Sequence, residues 1–280
     1  MSPSPRTPVQ AVGKDAAGRW QYLYHEAHAG RRERRKQKRL VRFIAALPRM
    51  RRAIARDLAL QGMPREKVLA GVLKILGACF LRPGSKVYTD QNGSYGLATL
   101  RRQHVSVRGD RVFFDFVGKS GKRQQQELHD RKVARLVREL TRYPGEVFKF
   151  RSEAGDLVDV HTGHINAYIK EVTGAQFSAK DFRTWAGTLL CACALARAEK
   201  KPARTKQDRR KRISEALQEV ADHLGNTAAV CRSSYVFPEI LRSFEKGRVI
   251  SEYFDDVAAL SNGSARLVER SERALLELLR

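Results

Sequence analysis

Between His104 and Leu128 the sequence switches from helical to extended patterning. HVSVR (104–108) and VFFDFV (112–117) are β-branched and aromatic runs separated by Gly109-Asp110, a tight-turn dipeptide. A second turn, Gly118-Lys119-Ser120-Gly121, leads into a polar third strand over about 123–128. The pattern predicts a three-stranded antiparallel sheet with Lys119 at a hairpin tip. Elsewhere apolar residues recur near a 3.6 period. Helices are expected from Leu40 to Leu47, with Pro48 breaking or kinking the first, and over 65–80, 130–142, 161–172, 179–197, 210–224, 226–236 and 264–280. VQAVGKDAAGRWQYLY (9–24) reads as two short strands around a Gly-containing turn, and the proline-rich residues 1–8 as a disordered leader. Residues 198–212 are charged and without apolar period, so a mobile connection or an exposed helix start is expected there. The fold class is α+β, dominated by helices.

Charge narrows the partners. Of 280 residues, 54 are Lys or Arg and 30 are Asp or Glu, a formal net charge of +24. Nucleic acid, an anionic membrane surface or an acidic protein would answer it. No run of apolar residues is long enough to span a membrane. Cys79, Cys191, Cys193 and Cys231 lack paired zinc spacing and read as reduced cytosolic thiols. His161 and His164 match no specific metal motif and read as a helix-surface pair, and no nucleotide-binding or serine-hydrolase motif is present. No metal or cofactor is therefore expected.

What remains is a set of cations and one well-placed tyrosine. Arg82 precedes a Pro-Gly turn, Lys119 lies between Gly118 and Gly121, and Arg183 lies near the start of an apolar helix. In HLGNTAAVCRSSY (223–235), Tyr235 follows Asn226 by nine residues. Read singly, Arg82 and Lys119 are ordinary surface cations. Arg183 beside Asp181 is a helix-start ion pair, Asn226 a helix N-cap, and Tyr235 a half-buried packing residue.

In order, however, LRPGS, FVGKSGK, KDFRTWAGTLL and LGNTAAVCRSSY, with YGLATLRRQHVSVRGD (95–110), resemble the type IB DNA topoisomerases of bacteria and poxviruses, the bacterial branch most. The resemblance runs from about Val9 to Pro238. It implies a catalytic domain over 40–280, preceded by a truncated, β-containing remnant of a DNA-clamp lobe over 9–39. It also implies an active site of Arg82, Lys119, Arg183, Asn226 and Tyr235. Tyr235 would attack a phosphodiester and become joined to the 3′ phosphate, releasing a 5′ hydroxyl protonated by Lys119. Arg82, Arg183 and the Asn226 amide would stabilise the charge that develops on the phosphate oxygens.

The partner implied is double-stranded DNA, handled by a monomer associated with the cytoplasmic nucleoid, without nucleotide. Gln21, Tyr22 and Tyr24 fall on the lobe's DNA-contact positions, and Arg101 and Arg102 are candidate phosphate ligands. The basic run 31–39 and the cluster over 197–212 could add sequence-independent grip. Two other readings stay open. A tyrosine recombinase shares the chemistry, although Lys180 and Asn226 stand where recombinases typically carry histidine. A non-catalytic DNA-binding relative with an incomplete clamp is the other.

Overall fold

A computed structural model describes residues 7, 9–15, 18, 20–201, 203, 205–261 and 265–280. Most of the leader at 1–8 lies outside the described residues. The chain divides into two compact units, 1–42 and 43–280.

The first unit holds strands β1 (Val9–Lys14) and β2 (Trp20–Tyr24), paired antiparallel from Val9↔Tyr24 to Lys14↔Trp20 with an irregularity between Val9 and Ala11. The helix α1 (Glu26–Asp57) begins in the first unit and ends in the second, unbroken by Pro48. Of the break or kink expected at Pro48, the break does not occur. Its ring lies on the exposed side, while Phe43, Ile44, Leu47, Met50 and Ile54 on the other side are buried. Each such side chain contributes roughly 1.5–3 kcal/mol. Together they outweigh the cost of about 3 kcal/mol for an interior proline.

In the second unit α2 (Arg65–Cys79) buries nearly its whole surface. It stops at Phe80, whose φ of 54° is left-handed and turns the chain sharply into the Arg82 loop. A short exposed helix, α3 (Lys86–Asn92), follows. Strands β3 (Val105–Arg108), β4 (Arg111–Val117) and β5 (Arg123–His129) form the expected sheet in sequence order. Val112, Phe114 and Phe116 point into the core, and β5 adds Leu128. Helix α4 (Arg131–Leu140) is capped by Asp130, whose carboxylate accepts from Lys132 N and Val133 N. A small pair, β6 (Lys149–Arg151) and β7 (Leu157–Asp159), precedes α5 (Thr162–Thr173).

The central element is α6 (Ala179–Glu199), buried along most of its length, with α7 (Lys206–Leu224) packed beside it. Of the mobile connection or exposed helix start expected over 198–212, the structure has the helix start: α7 opens at Lys206, capped by Thr205, whose hydroxyl accepts from Asp208 N. The helix expected over 226–236 is in fact one turn, α8 (Ala228–Val230), running into a π-helical turn, Cys231–Tyr235. Then come α9 (Pro238–Glu245), α10 (Ala258–Ser261) and α11 (Ala265–Leu279). No described helix is long and apolar enough to cross a membrane.

Candidate active site

The Arg82 loop is fixed through its carbonyls. Arg82 O accepts from Leu97 N at 2.8 Å, Pro83 O from Ala98 N at 2.7 Å, and Gly84 O from Thr162 Oγ1 at 2.6 Å. A segment whose successive acceptors are all satisfied has little freedom. Its guanidinium reaches out to Asn226, with Arg82 Nη2 donating to Asn226 Oδ1 at 2.6 Å.

Asn226 is placed by the end of α7. Gly225 adopts φ 59°, Gly225 N donates to Asp222 O and Asn226 N to Ala221 O, the paired bonds of a left-handed glycine cap. The N-cap role expected of Asn226 passes to Thr227, whose hydroxyl accepts from Val230 N. Asn226 is thereby relieved of capping duty, and its Nδ2 donates to Leu224 O at 3.5 Å. Lys122 Nζ donates to Asn226 O at 2.7 Å, tying the β4–β5 hairpin to this turn. Lys119 sits exposed at that hairpin's tip, three residues from Lys122, beside Ser120 with φ 63°.

Arg183 is 4% exposed. Its Nη1 donates to Phe80 O and its Nη2 to Leu224 O at 2.8 Å, so one planar fork joins the ends of α2 and α7. The ion pair expected with Asp181 is replaced, because the Asp181 carboxylate accepts from Ser178 N at 2.7 Å and from Ser178 Oγ at 3.0 Å. The Arg183 Cζ lies 4.9 Å from the centroid of the Tyr235 ring. A chain of contacts thus runs Arg82, Asn226, Leu224, Arg183, Tyr235 across three helix ends and the π-turn.

Electrostatics follow from that placement. Burial pushes the Tyr235 phenol up, but Arg183, by charge and by its N–H groups, together with Arg82 and Lys180, pulls it below its ordinary value. The Cys231 thiol, also buried among Arg183, Arg82, Asn226 and Lys122, is held above its ordinary value because burial dominates. Loss of a cation must then raise the phenol. Arg82→Ala should slow any reaction of the Tyr235 phenolate more at pH 7 than at pH 9, read from single-turnover rates across that range. An equal loss at both pH values would mean that Arg82 does not act on the phenol.

Gln21, Tyr22 and Tyr24 belong to the first unit. Gln21 Nε2 donates to Asp15, the Tyr22 and Tyr24 rings stack at 6.4 Å, and the Arg32 guanidinium lies 5.3 Å from the Tyr24 ring. Trp20, Tyr22, Leu23 and Tyr24 are all exposed. Arg101 and Arg102 are exposed before β3. Much of the cationic cluster at 197–212 is engaged within the protein. Arg197 donates to Phe254 O and Glu219, Arg209 to Phe244 O, and Arg212 to Asp208 and two backbone carbonyls. His161 and His164 stack at 3.5 Å. Among the described residues no group of three or more potential ligands could hold a metal.

Sequence patterns did not single out Phe80, Cys231 or Thr188 as part of this neighbourhood, and marked Lys180 only as a position where recombinases typically carry histidine. For Thr188 a signal existed, since it is a lone hydroxyl ahead of the apolar run LLCACALA.

The model of a family described as eukaryotic DNA topoisomerase I, catalytic core, matches residues 25–258. A protein of Acanthamoeba polyphaga mimivirus named DNA topoisomerase 1B is 32% identical over 247 residues, covering 86% of this chain and 74% of the relative. The DNA topoisomerase 1B of vaccinia virus (strain Copenhagen) is 29% identical over 108 residues, 39% of this chain and 34% of the relative. A rabbit fibroma virus protein named DNA topoisomerase 1 is 23% identical over 231 residues, 82% and 70% of the two chains.

Proposed function

Since this chain belongs to the type IB DNA topoisomerases, we propose that it relaxes positive and negative supercoils by cutting and resealing one strand of duplex DNA through Tyr235. The observation that carries this reading is the Arg183 guanidinium, buried, held by two carbonyls and lying against the Tyr235 ring.

The phenol gives its proton to water and its oxygen attacks the phosphorus. The Tyr235 O–P bond forms as the P–O5′ bond breaks. The leaving 5′ oxygen takes a proton, for which Lys119 is the proposed donor; the exposed hairpin tip leaves its ammonium free to reach DNA. Arg82, Arg183 and the Asn226 amide stabilise the developing negative charge. Fixed donors do this better than water, because they need not reorganise as the charge appears. The phosphotyrosyl bond retains the energy of the phosphodiester. Attack by the 5′ hydroxyl therefore reseals the strand without ATP.

Residues 40–280 form the proposed catalytic domain, and 9–39 contribute to DNA grip. Gln21, Tyr22, Tyr24, Arg101 and Arg102 are proposed DNA contacts, and a monomer is the proposed acting form. In the run 31–39, Arg34, Arg35 and Lys38 are exposed on α1. Changing these three to Ala should flatten the dependence of log affinity on log salt by about 2–3, as each phosphate contact contributes roughly 0.9. An unchanged slope in plasmid-binding titrations would remove them from the interface.

The deciding experiment incubates the protein with supercoiled plasmid, EDTA and no nucleotide. Conversion to relaxed topoisomers is expected for both signs of supercoil. Plasmid that is bound but stays supercoiled would favour a non-catalytic DNA-binding protein.

A further inference from the structure

Thr188 makes contacts that the chemistry above does not use. It lies in α6, five residues beyond Arg183, and is 0% exposed. A buried hydroxyl requires partners, and both of its partners belong to the segment carrying Tyr235. Thr188 Oγ1 donates to Tyr235 O at 3.0 Å and accepts from Phe237 N at 3.2 Å. These groups stand where the π-turn closes, with Val236 N donating to Cys231 O at 2.8 Å. Helix ends leave carbonyls without intrahelical donors, and here a side chain from another helix supplies one. The neighbouring Gly187 permits close approach. A Cβ at that position would lie 2.9 Å from Tyr235 Cβ and 3.1 Å from Tyr235 O. The helix that holds the guanidinium against the Tyr235 ring therefore also holds the backbone from which that ring projects.

We propose that Thr188, with the close approach allowed by Gly187, is a positioning residue that sets the Tyr235 side chain against Arg183. The inference rests on Tyr235 being the nucleophile. A hydroxyl that joins both sides of Val236 fixes the direction of the Tyr235 Cα–Cβ bond, and α6 is rigid between Arg183 and Thr188. Without the hydroxyl, Tyr235 O and Phe237 N lose a shared partner and the phenol can move away from the cation that lowers its pKa. A misplacement of about 1 Å at a reacting group can cost on the order of 10²-fold in rate.

The test measures single-turnover formation of the covalent adduct on a duplex whose released strand is too short to stay bound, alongside DNA affinity. Thr188→Val keeps the shape and removes the hydroxyl. Its adduct rate should fall about 10- to 100-fold with DNA affinity unchanged, and its pH–rate profile should move to higher pH. Thr188→Ser should restore the rate and the profile. Gly187→Ala, which crowds Tyr235 with the hydroxyl intact, should slow the step likewise.

A Thr188→Val protein with the wild-type rate and profile overturns the proposal. So does a slow variant with an unmoved profile and no rescue by serine, the mark of a merely structural role. If Thr188→Val gives no cooperative thermal transition, Thr188→Ser and Gly187→Ala decide. A folded Gly187→Ala protein at the wild-type rate, or a folded Thr188→Ser protein without recovery, refutes it. Tyr235→Phe run in parallel separates the two readings. An adduct in that variant removes the nucleophile assignment. No adduct there, with Thr188→Val unimpaired, removes only the positioning role.

Discussion

Replacing Tyr235 with Phe should abolish the protein–DNA adduct and supercoil relaxation together, a loss of at least about 10⁴-fold, since no other group takes over a missing nucleophile. The change deletes one oxygen. The close approach of Tyr235 Cβ to Gly187 and the ring's contact with the guanidinium of Arg183 are kept, and so are the two backbone contacts with Thr188. Folding and plasmid binding should consequently stay near wild type, which makes the substitution specific for chemistry. Denaturing gels read the adduct, plasmid gels read relaxation, and a salt titration reads binding. The Cys231 thiol, four residues earlier and within the same charged setting, is a competing nucleophile. Burial holds that thiol protonated, so it should not substitute. An adduct that persists in Tyr235→Phe would displace the assignment to another residue.

Arg183→Lys should be nearly as damaging, although the charge is kept. The guanidinium spans Phe80 O and Leu224 O with two nitrogens of one plane, and its Cζ lies 4.9 Å from the centroid of the Tyr235 ring. An ammonium is a single point of donation and cannot make that fork. One of the two carbonyls would be left buried without a donor, at a cost of about 1–3 kcal/mol in stability. Loss of one fixed transition-state donor should lower the adduct rate by about 10²–10³-fold. Single-turnover rates and thermal unfolding measured together would check both parts. A lysine variant that cleaves within a few-fold of wild type would show that charge alone suffices and that the fork has no catalytic part.

Both substitutions probe residues that were visible as a spaced pattern in the chain. The three-stranded sheet was visible as well, because β4 alternates Val112, Phe114 and Phe116 inward across a one-residue step and glycine turns bound it. So were α2, α4, α5, α6 and α11, whose apolar periods run through ten or more residues. Where local pattern failed, a competing tertiary term decided. Pro48 failed to break α1 because the buried side of that helix outweighs one lost bond. The charged stretch after α6 could be read as a connection or as a helix start, and the acceptors that Arg197, Arg209 and Arg212 find within the fold decided for the helix start. Strands β6 and β7, three residues each, are too short for any period to register.

Alone, the sequence determined the identities and order of the cations, the amide and the tyrosine, the helix-rich class, and the excess positive charge. It could do so because periodicity, turn residues and charge are local properties of the chain. Only the tertiary structure decided what those residues are to one another. Arg183 changed from a helix-start cation into a buried fork between two helix ends. Asn226 changed from a cap into an amide held between Arg82 and Leu224 O, and Tyr235 into a phenol whose pKa is lowered. Their interactions join positions more than a hundred residues apart in the chain, as Arg82 with Asn226 and Phe80 with Arg183. Burial and distance set the strength of such electrostatic contacts, and neither exists until the chain has folded.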